Sequence, residues 1–341
     1  MNVRGVLTAS LILGCVVVVV PQAADQPYRL IKEIQIGGDG GWDYLSVDSA
    51  ARRLYVSHGT KVVIVDLAKD EVAGEIPDTP GIHGAIVVPD GRVFTSNGRE
   101  AKAGIVDAKA LKTLMKVDTG ANPDFIMYEP KQKEVYTFNA SGSATVIDMG
   151  GKVVAMIPLG GKPEAGVSDA AAGRVYVNIE NKSEIAVIDV STHDVVARWP
   201  IAPGADAAGL AIDIRTHRLF IGAHNKLMLL MDSTNGKVVG QVPIGAGVDS
   251  TWFDPGTGYA FSSCGDGTTT IAHEDSPSML TPVQTLQTAV GARTMALDPL
   301  THRIYLSAAR FEALAADAPA GTRPRPVPGS MHILVYGLNG K

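Results

Sequence analysis

Apolar residues come in short bursts along this chain, four to eight at a time, each bounded by Gly, Pro, Asn or Asp. The bursts are rich in β-branched and aromatic residues, which is the pattern of strands. RLYVSHGTKVVIVDLAKDEVAGEIP, from Arg53 to Pro77, reads as strand, loop, strand, turn, strand. RVYVNIENKSEIAVIDVSTHDVVARWPI, from Arg174 to Ile201, repeats the phrase. Each copy adds a leading segment that ends near Asp or Pro, such as YLSVD or TMALDP. The second segments begin at Leu54, Val93, Val135, Val175, Leu219, Tyr259 and Ile304, with steps of 39 to 45 residues. Four strands at that period form one blade of a β-propeller. The middle segments are apolar at consecutive positions, so they are predicted to be buried on both faces, as stacked blades require.

The first, second and third segments each occur seven times, but the fourth occurs six times in sequence order. The chain stops at HILVYGLNGK, after the seventh third segment. YRLIKEIQIGG, Tyr28 to Gly38, carries the missing fourth-segment phrase. The predicted fold is therefore an all-β seven-bladed propeller, closed by the N-terminal strand pairing in the last blade. An open solenoid would leave an unpaired edge.

Composition narrows the picture. Of 341 residues, 45% are hydrophobic, enough for a large core and unlike a disordered chain. The net charge is -5 with no dense Lys/Arg run, which disfavours nucleic acid as a partner. Residues 1–24 read as a secretory signal: Arg4, an apolar Val6–Val20 and small residues at Ala23-Ala24. An uncleaved anchor, or lipidation at Cys15, is the alternative. Residues 25–341 form one propeller domain, and the expected location is periplasmic or secreted, with no membrane span after cleavage. Once the leader is removed, Cys264 is the lone cysteine, so no internal disulfide can hold the fold and packing must do so.

Candidate chemistry follows from the topology. The first strand of each blade starts on the rim where the second strand ends. Asp43, His83, Asp124, Glu164, Ala208, Asp249 and Arg293 lie ten or eleven residues before the second segments and are expected to converge on one channel mouth. In the fifth blade Asp206 could substitute for Ala208. Clustered carboxylates raise one another's pKa unless a cation relieves them. The mouth should thus take a cation or a polar, partly basic ligand, with Arg293 orienting an acidic group. Asp43, Asp124, Glu164 and Asp249 are the candidate metal ligands and a divalent cation the candidate cofactor. Just past the second strands, His58, Asn97, Asn139, Asn181, His224, Cys264 and Arg310 should rim the same mouth. The Asn are expected to form turns and Cys264 to be inert. Asp66, Asp107, Asp148, Asp189 and Asp232 precede turns on the other rim and are read as turn formers, with His217 and His302 as turn surface. A Pro/Ala-rich insertion over 310–330 is a long loop near the mouth, read as a flap or a docking segment. No HExxH, CxxC, P-loop or GxSxG motif is present.

The RVYVN…IAVIDVSTHDVVARWPI phrase resembles the YVTN-repeat, or YncE-like, family of seven-bladed propellers, over the whole chain after the leader. The tetrapeptide departs from the consensus and reads YVSH, FTSN, YTFN, YVNI, FIGA, AFSS and YLSA. The resemblance implies the fold and an exported protein, and leaves the activity open. The leading expectation is a non-enzymatic binding or scaffold protein, monomeric, taking a small molecule, a cation or a protein partner of the cell envelope. The alternative is a metal-dependent hydrolase, lactonase or lyase at the same mouth, with His83 or His58 as base.

Overall fold

The computed structural model describes residues 1, 26–314 and 324–339. It contains seven four-stranded antiparallel sheets. Their inner strands are Trp42–Asp48, Ile82–Val87, Pro123–Glu129, Pro163–Asp169, Ala207–Asp213, Val248–Asp254 and Met295–Asp298. In six sheets the strands follow in chain order from inside to outside. In the seventh, Met295–Asp298, Arg303–Ala308 and His332–Leu338 are completed by Tyr28–Gln35 as the outer strand. Ile34 pairs with Ile333 and Tyr28 with Leu338, so the two ends of the chain close the ring. This is the predicted seven-bladed propeller.

The apolar residues form seven clusters among the described residues, each built from two adjacent blades. The sequence pattern explains this. Strand side chains alternate between sheet faces, and consecutive apolar residues fill both faces. Tyr55, Phe94, Tyr136, Tyr176, Phe220, Phe261 and Tyr305 occupy the same place in successive second strands, and all are buried. Such an aromatic buries about 150–250 Å², so each interface gains a hydrophobic contribution of a few kcal/mol from it.

Polar latches join the blades on the rim of the turns between first and second strands. Asp298 is fully buried and accepts bonds from Ser49 Oγ (2.5 Å) and Arg52 Nη1 (2.6 Å) of the first blade. His302 Nδ1 meets the buried Asp254 Oδ2 at 2.7 Å, tying the seventh blade to the sixth. Arg53 and Arg92 donate to the carbonyls of Ala108 and Met149 in the following blade. His302 is therefore an inter-blade tie and more than turn surface. Asp66, Asp107, Asp148, Asp189 and Asp232 accept backbone N–H bonds in their turns.

The expected leader over residues 1–24 lies outside the described residues, Met1 apart. So does 315–323 of the 310–330 loop. The base of that loop is a short ladder: Glu312 N donates to Arg325 O and Val327 N to Arg310 O. Phe311 packs against Trp42 there, with ring centroids 6.1 Å apart. Among the described residues no helix is long and apolar enough to cross a membrane.

Candidate functional site at one channel mouth

The starts of the inner strands bring most of the expected polar residues to one opening. His83 Nδ1 lies 2.7 Å from Asp43 Oδ2 and 3.4 Å from Asp124 Oδ1. One ligand atom from each of the three falls within 4.8 Å of the others. Across the opening, Arg293 Nε donates to Asp249 Oδ2 at 2.7 Å. Glu164 is bridged by Lys162, which also binds Glu180 at 2.6 Å. His224 Nε2 stands 3.5 Å from Glu180 Oε1, on the edge of the group.

Burial and mutual repulsion set the charges. Burial pushes Asp124 up to about 6, aided by Asp43 and opposed by His83. Asp249 rises to about 6, chiefly by burial, although Arg293 pulls it down. Glu164 rises to about 8, again by burial and then by the charge of Asp124. Lys162 is held firmly protonated while Glu164 is pushed up, which looks contradictory for an ion pair. The reason is that Lys162 is shared. Glu180, whose pKa is lowered, carries the anionic charge, while the more buried Glu164 facing Asp124 takes the proton. Burial alone would lower His83, but the Asp43 bond and the two carboxylate charges outweigh it and raise it to about 9. His83 is an imidazolium at neutral pH, set between two carboxylates.

Other expected residues lie elsewhere. His58 ends its strand buried inside the blade, with Nδ1 3.2 Å from Gly41 O. Asn97 and Asn139 are likewise fully buried, and their amides donate to Glu100, and to Ser143 and Thr145. These strand-end side chains turn back onto loops and strands of their own blades, where they are buried, and do not reach the opening. Cys264 is buried in the same way, and its thiol is pushed up to about 12 by burial. Asn181 Oδ1 accepts from Lys162 N, fixing the loop that carries Lys162. Arg310 belongs to the ladder at the loop base. Asp206 is exposed in a left-handed turn (φ 52°) and does not replace the buried Ala208.

Three contributors escaped the sequence reading. Lys162 lies in the loop just before the strand Pro163–Asp169, two residues from Glu164. Glu180 follows the fourth blade's second strand. Tyr44 follows Asp43 and lies under the carboxylates. Burial, then the charges of Asp124, Asp249, Glu164 and Asp43, hold its hydroxyl well above the usual phenol range.

No family model matches this chain, and no curated protein matches it. Solved structures do. A chain of the Kuenenia stuttgartiensis hydrazine synthase structure aligns with TM-score 0.70 at 15% identity, over 86% of this chain and 96% of that one. A chain of a mitotic checkpoint complex aligns with TM-score 0.71 at 15% identity, over 99% of each. The chain is a β-propeller. At such identity the likeness concerns the fold alone, and the mouth of this propeller has to be read from its own residues.

Proposed function

We propose that this chain is an exported propeller of the YVTN-repeat type that works by binding, and that its carboxylate-lined mouth takes a divalent cation. The observation that carries the reading is the clustering of Asp43, His83 and Asp124 ligand atoms within 4.8 Å. Ligands about 2.0–2.2 Å from a zinc-like ion stand roughly 3.4 Å apart in tetrahedral geometry. The His83–Asp124 separation of 3.4 Å already matches, and the His83–Asp43 hydrogen bond at 2.7 Å has to open to admit the ion. Two carboxylates and one imidazole suit Zn²⁺ or Mn²⁺ better than Ca²⁺, which prefers oxygen alone. Asp249 and Glu164 supply further negative field, and Arg293 can face an acidic group brought by a ligand on the ion. Binding of Zn²⁺ to the EDTA-treated full chain, followed by calorimetry, tests the reading. One equivalent should bind, and Asp124→Ala should weaken it by at least tenfold while the fold persists. Absence of saturable binding by Zn²⁺ and Mn²⁺ removes the reading.

A metal-dependent hydrolase is the second reading, favoured by one feature. Glu164, with its pKa near 8, is a protonated carboxylic acid at neutral pH beside the cluster, the state a general acid needs. A bound ion would polarise a substrate carbonyl there. Turnover of simple lactones by the zinc-loaded chain, lost in Glu164→Gln, would favour this reading over binding alone.

A further inference from the structure

Beneath the carboxylates the channel holds a chamber of about 540 Å³, within the range of small-molecule sites. Its roof is aromatic. Tyr44 and Phe125 meet edge to face, with centroids 5.0 Å apart at 89°. The matching positions in the other blades are Gly84, Ala165, Gly209, Ser250 and Thr294. Two rings thus narrow a layer that small residues would leave open, between the chamber and the mouth above. The chamber opens on the opposite rim, past Val87, Tyr128 and Pro130. The seventh blade adds no lining residue. Its inner strand, Met295–Asp298, is short, and Trp252 of the sixth blade reaches across to it, donating Nε1–H to Met295 O at 2.7 Å.

The walls are chiefly apolar, including Leu45, Ile86, Ile126, Val167, Leu210 and Ile212. Their hydroxyl neighbours are already engaged. Ser46 Oγ donates to Ala85 O and Ser168 Oγ to Glu129 Oε1, Thr251 pairs with Ser262, and Ser250 Oγ accepts from Met295 N. Water in this part of the channel is offered little by the side chains. The exception lies at the roof, where Asp249 is the charged residue lining the chamber. Tyr44 directly follows Asp43 and Phe125 directly follows Asp124, so both rings sit next to the carboxylates of the mouth. With Glu164 protonated, Asp43, Asp124, Asp249 and Glu180 still outnumber His83, Lys162 and Arg293 by one, so the roof is negative on balance. Apolar walls, two ring surfaces and a negative roof match one ligand class.

We propose that the chamber binds a small organic cation, an aromatic or alkyl ammonium, with its head under Tyr44 and Phe125 and its apolar body along the channel. The aromatic faces attract an ammonium group directly, and a space of about 540 Å³ suits a small molecule and not a macromolecule. This site lies below the Asp43–His83–Asp124 cluster; it shares the negative field of that cluster but needs no ion bound there.

The probes are 4-phenylbutylammonium and its neutral counterpart 4-phenylbutanol, titrated into the EDTA-treated full chain by calorimetry and followed through Trp252 fluorescence. The ammonium should bind about 3- to 10-fold more tightly, the range of one or two ring–cation contacts. Phe125→Leu keeps an apolar side chain, so it should retain binding but lower the ratio by about 2- to 5-fold, one ring–cation contact being lost while Tyr44 remains. Ile86→Trp projects a larger side chain into the chamber and should weaken binding of both probes together. Equal affinity for the alcohol, an unchanged ratio in Phe125→Leu, or no binding at all overturns the proposal. Should Ile86→Trp fail to fold, as circular dichroism would show, the Phe125→Leu ratio decides. Loss of zinc binding in Asp124→Ala with ammonium binding retained would separate the two sites.

Discussion

Replacing His83 by Gln should destabilise the metal-free propeller near neutral pH and leave it almost unaffected in alkali. Gln keeps an N–H for Asp43 and removes the positive charge. The imidazolium is favoured in the folded state because Asp43 binds it at 2.7 Å and Asp124 lies 3.4 Å away. Its pKa climbs from 6.5 to about 9, against the opposing effect of burial. At about 1.4 kcal/mol per tenfold, that is about 3 kcal/mol of preference for the folded state. Because the folded value is the higher one, this stabilisation is complete below pH 6.5 and fades as pH rises through 9. At pH 7 the unfolded histidine is already mostly neutral, so about 2–3 kcal/mol remains. On the acid side the protonation of Asp124 near pH 6 trims the gain by removing one partner. The difference between wild type and variant should therefore be widest between about pH 6 and 7 and fall by roughly half by pH 8. It corresponds to a Tm lower by about 5 °C for a domain of this size. Thermal melts in EDTA from pH 5 to 10 measure it. Superimposable melts at pH 7, or a gap that persists undiminished at pH 10, would refute the reasoning.

Asp298→Ala should cost about 3–5 kcal/mol, because Arg52 and Ser49 lose a fully buried partner between the first and seventh blades; chemical denaturation measures it. Tyr28→Ala should cost about 3–5 kcal/mol by emptying a buried site whose hydroxyl donates to His302 O. Hydrogen exchange should then show Tyr28–Gln35 and His332–Leu338 losing protection together, since they form one closing ladder. Cys264 should ignore a thiol reagent at pH 8 in the native state and react fully in denaturant, as a buried thiol with a pKa near 12 requires. Zinc affinity should increase between pH 6 and 9, since the ion must displace the His83 proton.

The ring and its closure were readable from the chain alone. Strand bursts every 39 to 45 residues define blades, and a fourth-strand phrase at Tyr28–Gly38 with none after His332 leaves one way to complete the seventh. The inner-strand starts could also be aligned by count, so Asp43, His83, Asp124, Glu164, Asp249 and Arg293 were expected together, and they all reach the same mouth. Period and spacing are one-dimensional properties that the backbone converts directly into position. Direction and partnership are not. His58, Asn97 and Cys264 end their strands as the pattern demands, yet all three are buried, and only packed coordinates reveal that their side chains turn inward. Lys162 becomes a counter-ion only because a loop folds it back onto Glu164 and Glu180. Tyr44 and Phe125 look like ordinary strand aromatics until the small residues of other blades leave them room to meet across the axis. What divides the channel is the difference among blades at one layer, and the sequence repeat conceals it because it records what the blades share.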